Sequence, residues 1–170
     1  MVLLPVKLFL ITMVFLIFIF IFKYGYDTYS LEYIKSSMDG DFHLVRNMTD
    51  KKEAADLMAN VKQRIKQLMA HLKSKYPDKD EISRLYDNFN ADNVKETDIS
   101  DSGTSYSINK GSELSICLRD KTAEDYKLHQ LNLIMFVVLH ELSHIMSKTY
   151  GHNEEFGDNF VFLLKEATDI

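Results

Sequence analysis

The stretch Leu131-Asn132-Leu133-Ile134-Met135-Phe136-Val137-Val138-Leu139-His140-Glu141-Leu142-Ser143-His144 decides the fold that we expect for this chain. Its first part is apolar nearly all round, which indicates a helix buried through the middle of a domain. The helix continues directly into the pattern H-E-x-x-H. We expect it to end near 150–151, because Gly151 is the residue type favoured just past a helix end.

The H-E-x-x-H pattern places two imidazoles and one carboxylate on a single turn. Four residues are slightly more than one helical turn, so His140 and His144 project from the same face and can bind one zinc ion. Glu141 lies about 100° around the helix, where it can contact a metal-bound water rather than the metal. The pattern therefore predicts hydrolysis by a zinc-activated water, with Glu141 as general base and proton donor to the leaving amine.

A third metal ligand is expected shortly after this helix. A catalytic zinc site has three protein ligands and one position open to water. His152 directly follows Gly151, so a chain reversal would deliver a third imidazole, and His152 is our choice. The alternatives are Glu154, Glu155 and Asp158, because a carboxylate from the following helix can also complete such a site.

Composition limits the remaining functions. The chain has 170 residues, of which 46% are hydrophobic and 26% charged, so it should fold rather than stay disordered. The formal charge is −5, with Lys and Arg scattered among Asp and Glu, and we expect no direct nucleic-acid binding. The lone Cys117 excludes an intramolecular disulfide and a cysteine-based zinc site, so any metal must rest on His, Asp and Glu.

The N-terminus has the pattern of a membrane anchor. Residues 8–22 are uncharged and mostly large and apolar, and snorkelling of Lys7 would let a transmembrane helix extend over 2–23. The alternatives are a cleaved signal peptide, for which the small residues of a cleavage site are missing after 22, and a buried helix of a soluble protein. We expect a single-pass membrane protein whose orientation is open.

The rest of the chain divides into a connector at 24–48 and one domain at 49–170. Apolar residues at three- and four-residue steps predict a helix over 50–76 and a short helix around 82–89. The polar, acidic stretch 90–102 is typical of a loop.

A hairpin is expected at 104–119. Apolar and polar residues alternate on both sides of the turn at 109–112, and the hairpin either pairs with an extended peptide or simply covers the helices. A last helix begins near Asn153. The predicted fold is thus α+β, with a small antiparallel sheet or hairpin packed on the active-site helix and supporting helices, preceded by one transmembrane helix.

The motif residues resemble a known family. His140-Glu141-Leu142-x-His144, followed by His152-x-x-x-Phe156, resembles the H-E-L-x-H…H-x-x-x-F signature of the WLM and SprT-like zinc metallopeptidases, a branch of the zincins. This resemblance is strongest over 131–167. Segments 44–48, 52–57, 104–111 and 150–152 are in addition similar to uncharacterised membrane-anchored proteins of large DNA viruses that are identified as metallopeptidases.

The resemblance implies zinc on His140, His144 and His152 with Glu141 as the catalytic residue, in a zincin-like domain that acts on a protein or peptide. The viral likeness implies a virion or host-cell membrane as the location. Seven residues separate His144 from His152, where the family usually has five, so the returning loop is longer. The alternative function is a non-catalytic membrane-bound structural or interaction protein that retains the fold with or without zinc. Hydrolysis of a non-peptide amide is a third hypothesis.

Overall fold

The computed structural model describes residues 3–28, 30–101, 105–120 and 126–170, without the side chains of 3–6 and 23–28. Over these residues the chain forms helices and two small sheets, so the predicted α+β class is confirmed. The elements in chain order are α1 (Leu3–Thr28), β1 (Leu31–Lys35), β2 (Phe42–Arg46), α2 (Lys51–Lys75), α3 (Asp80–Asn88), a 3-10 turn (Ala91–Asn93), β3 (Val94–Glu96), β4 (Tyr106–Ile108), β5 (Glu113–Ile116), α4 (Leu131–Met146) and α5 (Glu154–Thr168).

Helix α1 exposes its large apolar side chains over 8–22. In the described part of the chain, no helix combines the length and the apolar character that crossing a membrane requires, which corrects the predicted transmembrane helix at 2–23. The physical reason is length: the uncharged stretch between Lys7 and Lys23 has fifteen residues, whereas a bilayer core needs about 20. Membrane localisation stays a prediction from the sequence.

Strands β1 and β2 form an antiparallel hairpin within the segment interpreted as a connector. The hairpin packs on α2, and Val45 and Arg46 on β2 are fully buried. The Asp56 carboxylate on α2 accepts hydrogen bonds of 2.7 Å from the hydroxyls of Ser36 and Ser37. The hairpin is therefore held against α2, a helix that follows it in the chain.

The second sheet has the strand order β3-β5-β4. Strands β4 and β5 are antiparallel, so the predicted hairpin is confirmed. Strand β3 pairs parallel to β5, so the sheet is mixed rather than antiparallel, and part of the predicted loop at 90–102 is a strand. Three residues are too few for an alternating pattern to be recognisable. Strand β4 lies at one edge of the sheet, and no strand within the described residues pairs with its outer side.

Helix α2 has the predicted amphipathic character, and it forms the hydrophobic core with α3, α4, α5 and the second sheet. Helix α4 departs from the prediction in two ways. It ends at Met146 rather than near 150, because Ser147 is extended, with ψ 140°. It is also not buried all round, since Leu133 and Phe136 are 51% and 49% exposed.

A buried ionic cluster joins the hairpin to the second sheet. The carboxylate of Glu96 on β3 accepts a 2.7 Å hydrogen bond from the backbone N–H of Arg46 and a 2.9 Å hydrogen bond from Nε of Arg119. All three side chains are at most 1% exposed. Because a buried carboxylate is costly without partners, this cluster fixes how β2, β3 and the chain after β5 meet.

Candidate metal centre

Three histidines from two elements meet at the C-terminal end of α4. His140 and His144 lie on the same face of the helix, and His152 comes from the loop between α4 and α5. The Nε2 atoms of His140 and His152 are 3.1 Å apart, and one ligand nitrogen from each of the three imidazoles lies within 4.8 Å of the other two. The structure thus brings together the three residues chosen as metal ligands from the sequence.

The donor set fits a zinc ion. Zinc–nitrogen bonds of about 2.0–2.1 Å in a tetrahedral site place two ligand nitrogens about 3.3 Å apart, close to the 3.1 Å between His140 and His152. Burial, followed by the neighbouring imidazoles, lowers the pKa of His140 and lowers that of His144 to about 4. Both side chains are therefore neutral at pH 7, the form in which imidazole binds a metal.

Phe156 on the first turn of α5 supports all three imidazoles. Its ring centroid lies 4.9 Å from that of His140, 4.3 Å from that of His144 and 4.8 Å from that of His152. The turn of α5 is held in place because the Asn153 side chain accepts a 3.0 Å hydrogen bond from the backbone N–H of Phe156. This confirms the predicted start of a helix near 153. The ring of Phe156 forms an apolar wall of the site.

Glu141 points towards strand β4. Ser107 on that strand lines the same cleft as Glu141. Burial raises the pKa of Glu141 to about 6, and the polar groups of Ser107 act in the opposite, lowering direction. Sequence reasoning missed Ser107, although the alternation in 105–108 places Ser105 and Ser107 on the face opposite to Tyr106 and so contained a signal.

The loop that carries His152 is held from one side by Lys110. The Lys110 ammonium donates hydrogen bonds of 2.8 Å and 2.7 Å to the carbonyl oxygens of Ser147 and Lys148, and it lies 4.4 Å from the ring centroid of Tyr150. Lys110 has a left-handed backbone with φ 54°, so the turn after β4 directs its side chain to the loop. Sequence reasoning assigned no role to Lys110.

Glu155 holds the same loop from the other side. Its carboxylate accepts hydrogen bonds from the backbone N–H of Lys148 at 2.8 Å and from the hydroxyl of Thr149 at 2.8 Å. Glu154 and Asp158 line a separate cleft beside Lys79. Within the described residues, none of the carboxylates considered as a third ligand belongs to the histidine group.

The histidines open into a cleft of about 630 Å³. One wall comes from β4 and the turn after it, and the other comes from the loop between α4 and α5. Tyr150 lines this cleft and is 83% exposed. His129 is not among the described residues that line it; its backbone N–H donates to the carbonyl oxygen of Leu118. Cys117 lies outside the cleft as well.

Comparison with known sequences finds relatives in large DNA viruses. No family model matches the chain. Uncharacterized protein R325 of Acanthamoeba polyphaga mimivirus is 31% identical over 143 residues, which cover 81% of this chain and 71% of that protein. Uncharacterized protein 136R of Invertebrate iridescent virus 6 is 27% identical over 117 residues, 67% of this chain and 62% of that protein. Uncharacterized protein 042R of Invertebrate iridescent virus 3 is 40% identical over 52 residues, 31% of each.

Comparison with solved structures finds the same fold in Wss1 from Saccharomyces cerevisiae. The TM-score is 0.53 at 20% sequence identity, and the match covers 72% of this chain and 82% of that chain. A Wss1 mutant gives a TM-score of 0.56 at 20% identity, over 74% of this chain and 86% of that chain. The resemblance of the motif residues to the WLM and SprT-like group is thereby confirmed at the level of the fold.

Proposed function

Because this chain belongs to the family of viral proteins that includes uncharacterized protein R325 of mimivirus, and shares its fold with Wss1, we propose that it is a zinc-dependent metallopeptidase. One observation carries the proposal. Three imidazoles converge in one cleft with the carboxylate of Glu141, and β4, an edge strand among the described residues, lines that cleft. A purely structural metal site needs neither the carboxylate nor the open side.

His140, His144 and His152 would hold the ion. Zinc bound there supplies Lewis acidity, which polarises a scissile carbonyl and lowers the pKa of water. Three protein ligands would leave the ion accessible to water or substrate, as in catalytic rather than structural zinc sites. The neutral state of His140 and His144 at pH 7 means that few protons need to leave on binding.

Glu141 would move the proton. Its carboxylate takes a proton from the attacking water while the oxygen of that water forms a bond to the carbonyl carbon. The carboxylate then passes the proton to the nitrogen of the leaving amine, and the C–N bond breaks. The polar groups of Ser107 face the carboxylate and favour its charged form, and a proton acceptor works best when its surroundings are set in advance. With a pKa of about 6, Glu141 is ionised at pH 7 and is still basic enough to accept a proton.

Strand β4 would align the substrate. An extended polypeptide can add to an exposed strand edge through main-chain hydrogen bonds, and β4, an edge strand among the described residues, lines the same cleft as the histidines. This arrangement favours a protein or peptide over a compact amide, because a compact molecule would leave the strand edge unused.

The test uses the full-length chain, loaded with zinc, with unfolded casein as substrate. Wild type and Glu141→Gln should each hold about one zinc per chain by elemental mass spectrometry, because Glu141 is not a ligand. Cleavage should fall by at least about 100-fold in Glu141→Gln. Glu154→Gln, an exposed change on α5, is the matched control and should cleave at the wild-type rate.

Equal cleavage by wild type and Glu141→Gln would contradict the role of Glu141. Zinc in the wild type without cleavage of any polypeptide would favour the non-catalytic scaffold. Cleavage of small amides but not of casein would favour the non-peptide hypothesis.

A further inference from the structure

An exposed apolar surface continues from the metal centre along α4. Leu133 and Phe136 are 51% and 49% exposed, although the helix that carries them packs on α5, α3 and α2. Phe136 precedes His140 by four residues and Leu133 precedes it by seven, so all three project from one face of α4. We call Leu133, Phe136 and Phe160 of α5 the apolar stripe.

Aromatic contacts join the apolar stripe to the metal centre without a gap. The ring centroids of Phe136 and Phe160 are 5.2 Å apart in an edge-to-face contact. The ring of Phe160 lies 5.6 Å from that of His140 and 5.9 Å from that of Phe156. The apolar stripe therefore begins directly beside the ring of His140.

Exposed apolar side chains that are contiguous and border a polar cleft are typical of interaction sites. We propose that the apolar stripe is a subsite for a large apolar side chain of the polypeptide substrate, next to the bond that is cleaved. This inference rests on the proposed metallopeptidase function and adds the substrate class to it.

The dimensions agree with this occupant. An extended peptide advances about 3.3 Å per residue, so a residue one or two positions from a carbonyl held at the histidines lies about 3–7 Å away along the chain. The ring of Phe160 lies 5.6 Å from that of His140, so a side chain at one of these positions can reach the apolar stripe. Phe136 closes the far side of the subsite with a ring that is half covered and half free.

The test is the cleavage specificity of the zinc-loaded, full-length chain on a peptide library made from a digested proteome, with cleavage sites read by mass spectrometry. Leu, Ile, Met and Phe should be enriched at one position within two residues of the cleaved bond, by about tenfold over polar residues. Phe136→Ser should remove most of this preference, and Phe136→Leu should retain it.

Phe42→Ser is the matched control. Phe42 is 62% exposed on β2, away from the histidine cleft, so this variant loses the same ring and should keep the wild-type preference. Leu133→Ser is a second change within the apolar stripe and should weaken the preference in the same direction. Zinc content and circular dichroism of each variant establish that the site and the fold are intact.

Binding gives a readout that does not need turnover. Zinc-loaded Glu141→Gln should bind a fluorescent peptide containing an apolar residue at the preferred position about tenfold more tightly than its Ser-substituted partner, by fluorescence anisotropy. Adding Phe136→Ser to this variant should abolish the difference.

Three outcomes overturn the inference. Zinc-dependent cleavage without an apolar preference, or with a preference that Phe136→Ser and Leu133→Ser both leave intact, removes the subsite but leaves the metallopeptidase standing. Absence of zinc-dependent cleavage removes both. A dimer in the wild type that becomes a monomer in Phe136→Ser, by sedimentation, makes the apolar stripe an interface between two copies of the chain instead.

Discussion

The ammonium nitrogen of Lys110 donates a 2.7 Å hydrogen bond to the carbonyl oxygen of Lys148. This bond, with its 2.8 Å neighbour to the carbonyl oxygen of Ser147, ties the turn after β4 to the loop that carries His152. Strand β4 also contacts Glu141 through Ser107. One short strand and its turn thus border the carboxylate and hold the loop of the third imidazole.

Replacing Lys110 should weaken zinc binding. In Lys110→Met the carbonyl oxygens after α4 lose their hydrogen-bond donor, so the loop holds His152 less firmly. We expect the zinc affinity to fall by about tenfold, as it does when other groups that support metal ligands are removed. Competition with a chromogenic chelator measures the affinity. Lys148→Met removes an exposed lysine from the same loop and should bind zinc as wild type does. Equal affinities in all three proteins would show that the loop holds its shape without Lys110.

Substitution of Glu155 should lower the zinc affinity, whereas substitution of its neighbour Glu154 should not. The Glu155 carboxylate accepts hydrogen bonds from Lys148 and Thr149, and Glu155→Gln leaves one acceptor oxygen for both. Zinc affinity should fall about threefold, which corresponds to one weakened hydrogen bond. Glu154→Gln should have no effect on zinc affinity. A larger effect of Glu154→Gln than of Glu155→Gln would reopen Glu154 as a metal ligand.

Loss of the buried carboxylate of Glu96 should strongly destabilise the fold. Glu96→Ala leaves the guanidinium groups of Arg46 and Arg119 buried without this counter-charge, and we expect the free energy of unfolding to fall by about 3–5 kcal/mol. Urea unfolding followed by circular dichroism measures it. Glu113→Ala is the control, because its partially exposed pair with Lys95 should contribute less than about 1 kcal/mol. Similar values for both variants would disprove the special role of the buried cluster.

Replacement of Gly111 by alanine should destabilise the protein, whereas the same replacement at Gly157 should stabilise it. A Cβ at Gly111 would lie 2.9 Å from the carbonyl oxygen of Asn88, and the residue has φ 115°, so Gly111→Ala should cost about 2 kcal/mol of stability. Gly157 lies in α5, where an added Cβ would meet no atom within 4 Å. Gly157→Ala should therefore stabilise the protein by up to about 1 kcal/mol. Thermal unfolding of the two variants measures both changes in stability. A Gly111→Ala variant as stable as wild type would contradict the close contact between position 111 and the carbonyl oxygen of Asn88.

The Glu166 carboxylate on α5 should stabilise the fold at neutral pH and lose this effect at acidic pH. Burial by itself raises the pKa of Glu166, but hydrogen bonds from Lys75, Tyr76 and His71 outweigh it and lower the pKa to about 2. Because the pKa is lower in the folded state, this carboxylate stabilises the fold above its unfolded pKa of about 4.5. That contribution is lost as the pH falls from about 4.5 towards 2.

The measurement is the difference in the free energy of unfolding between wild type and Glu166→Gln at several pH values. The difference should be largest near pH 6 and should shrink as the pH falls through the interval from about 4.5 to 2, because the wild type then loses its charge too. A difference that is constant with pH would mean that the Glu166 carboxylate is not stabilised by its ionic partners.

Local patterns were sufficient for several elements. Apolar residues at helical spacing indicated α2, the alternation around the turn at 109–112 indicated β4 and β5, and Asn153 indicated the start of α5. The sequence also determined that His140 and His144 share one face, since four residues make about one turn of any α-helix. Each of these features depends on residues that are neighbours along the chain.

The tertiary structure alone decided what lies around these features. It brought His152 to 3.1 Å from His140, joined β3 to β5 in parallel, and linked Lys110 to carbonyl oxygens that follow it by 37 and 38 residues. It also left Leu133 and Phe136 half exposed on a helix that the sequence predicted to be buried all round. The physical reason is that a hydrophobic pattern shows which side chains can be buried, whereas burial itself depends on which distant segments pack against them.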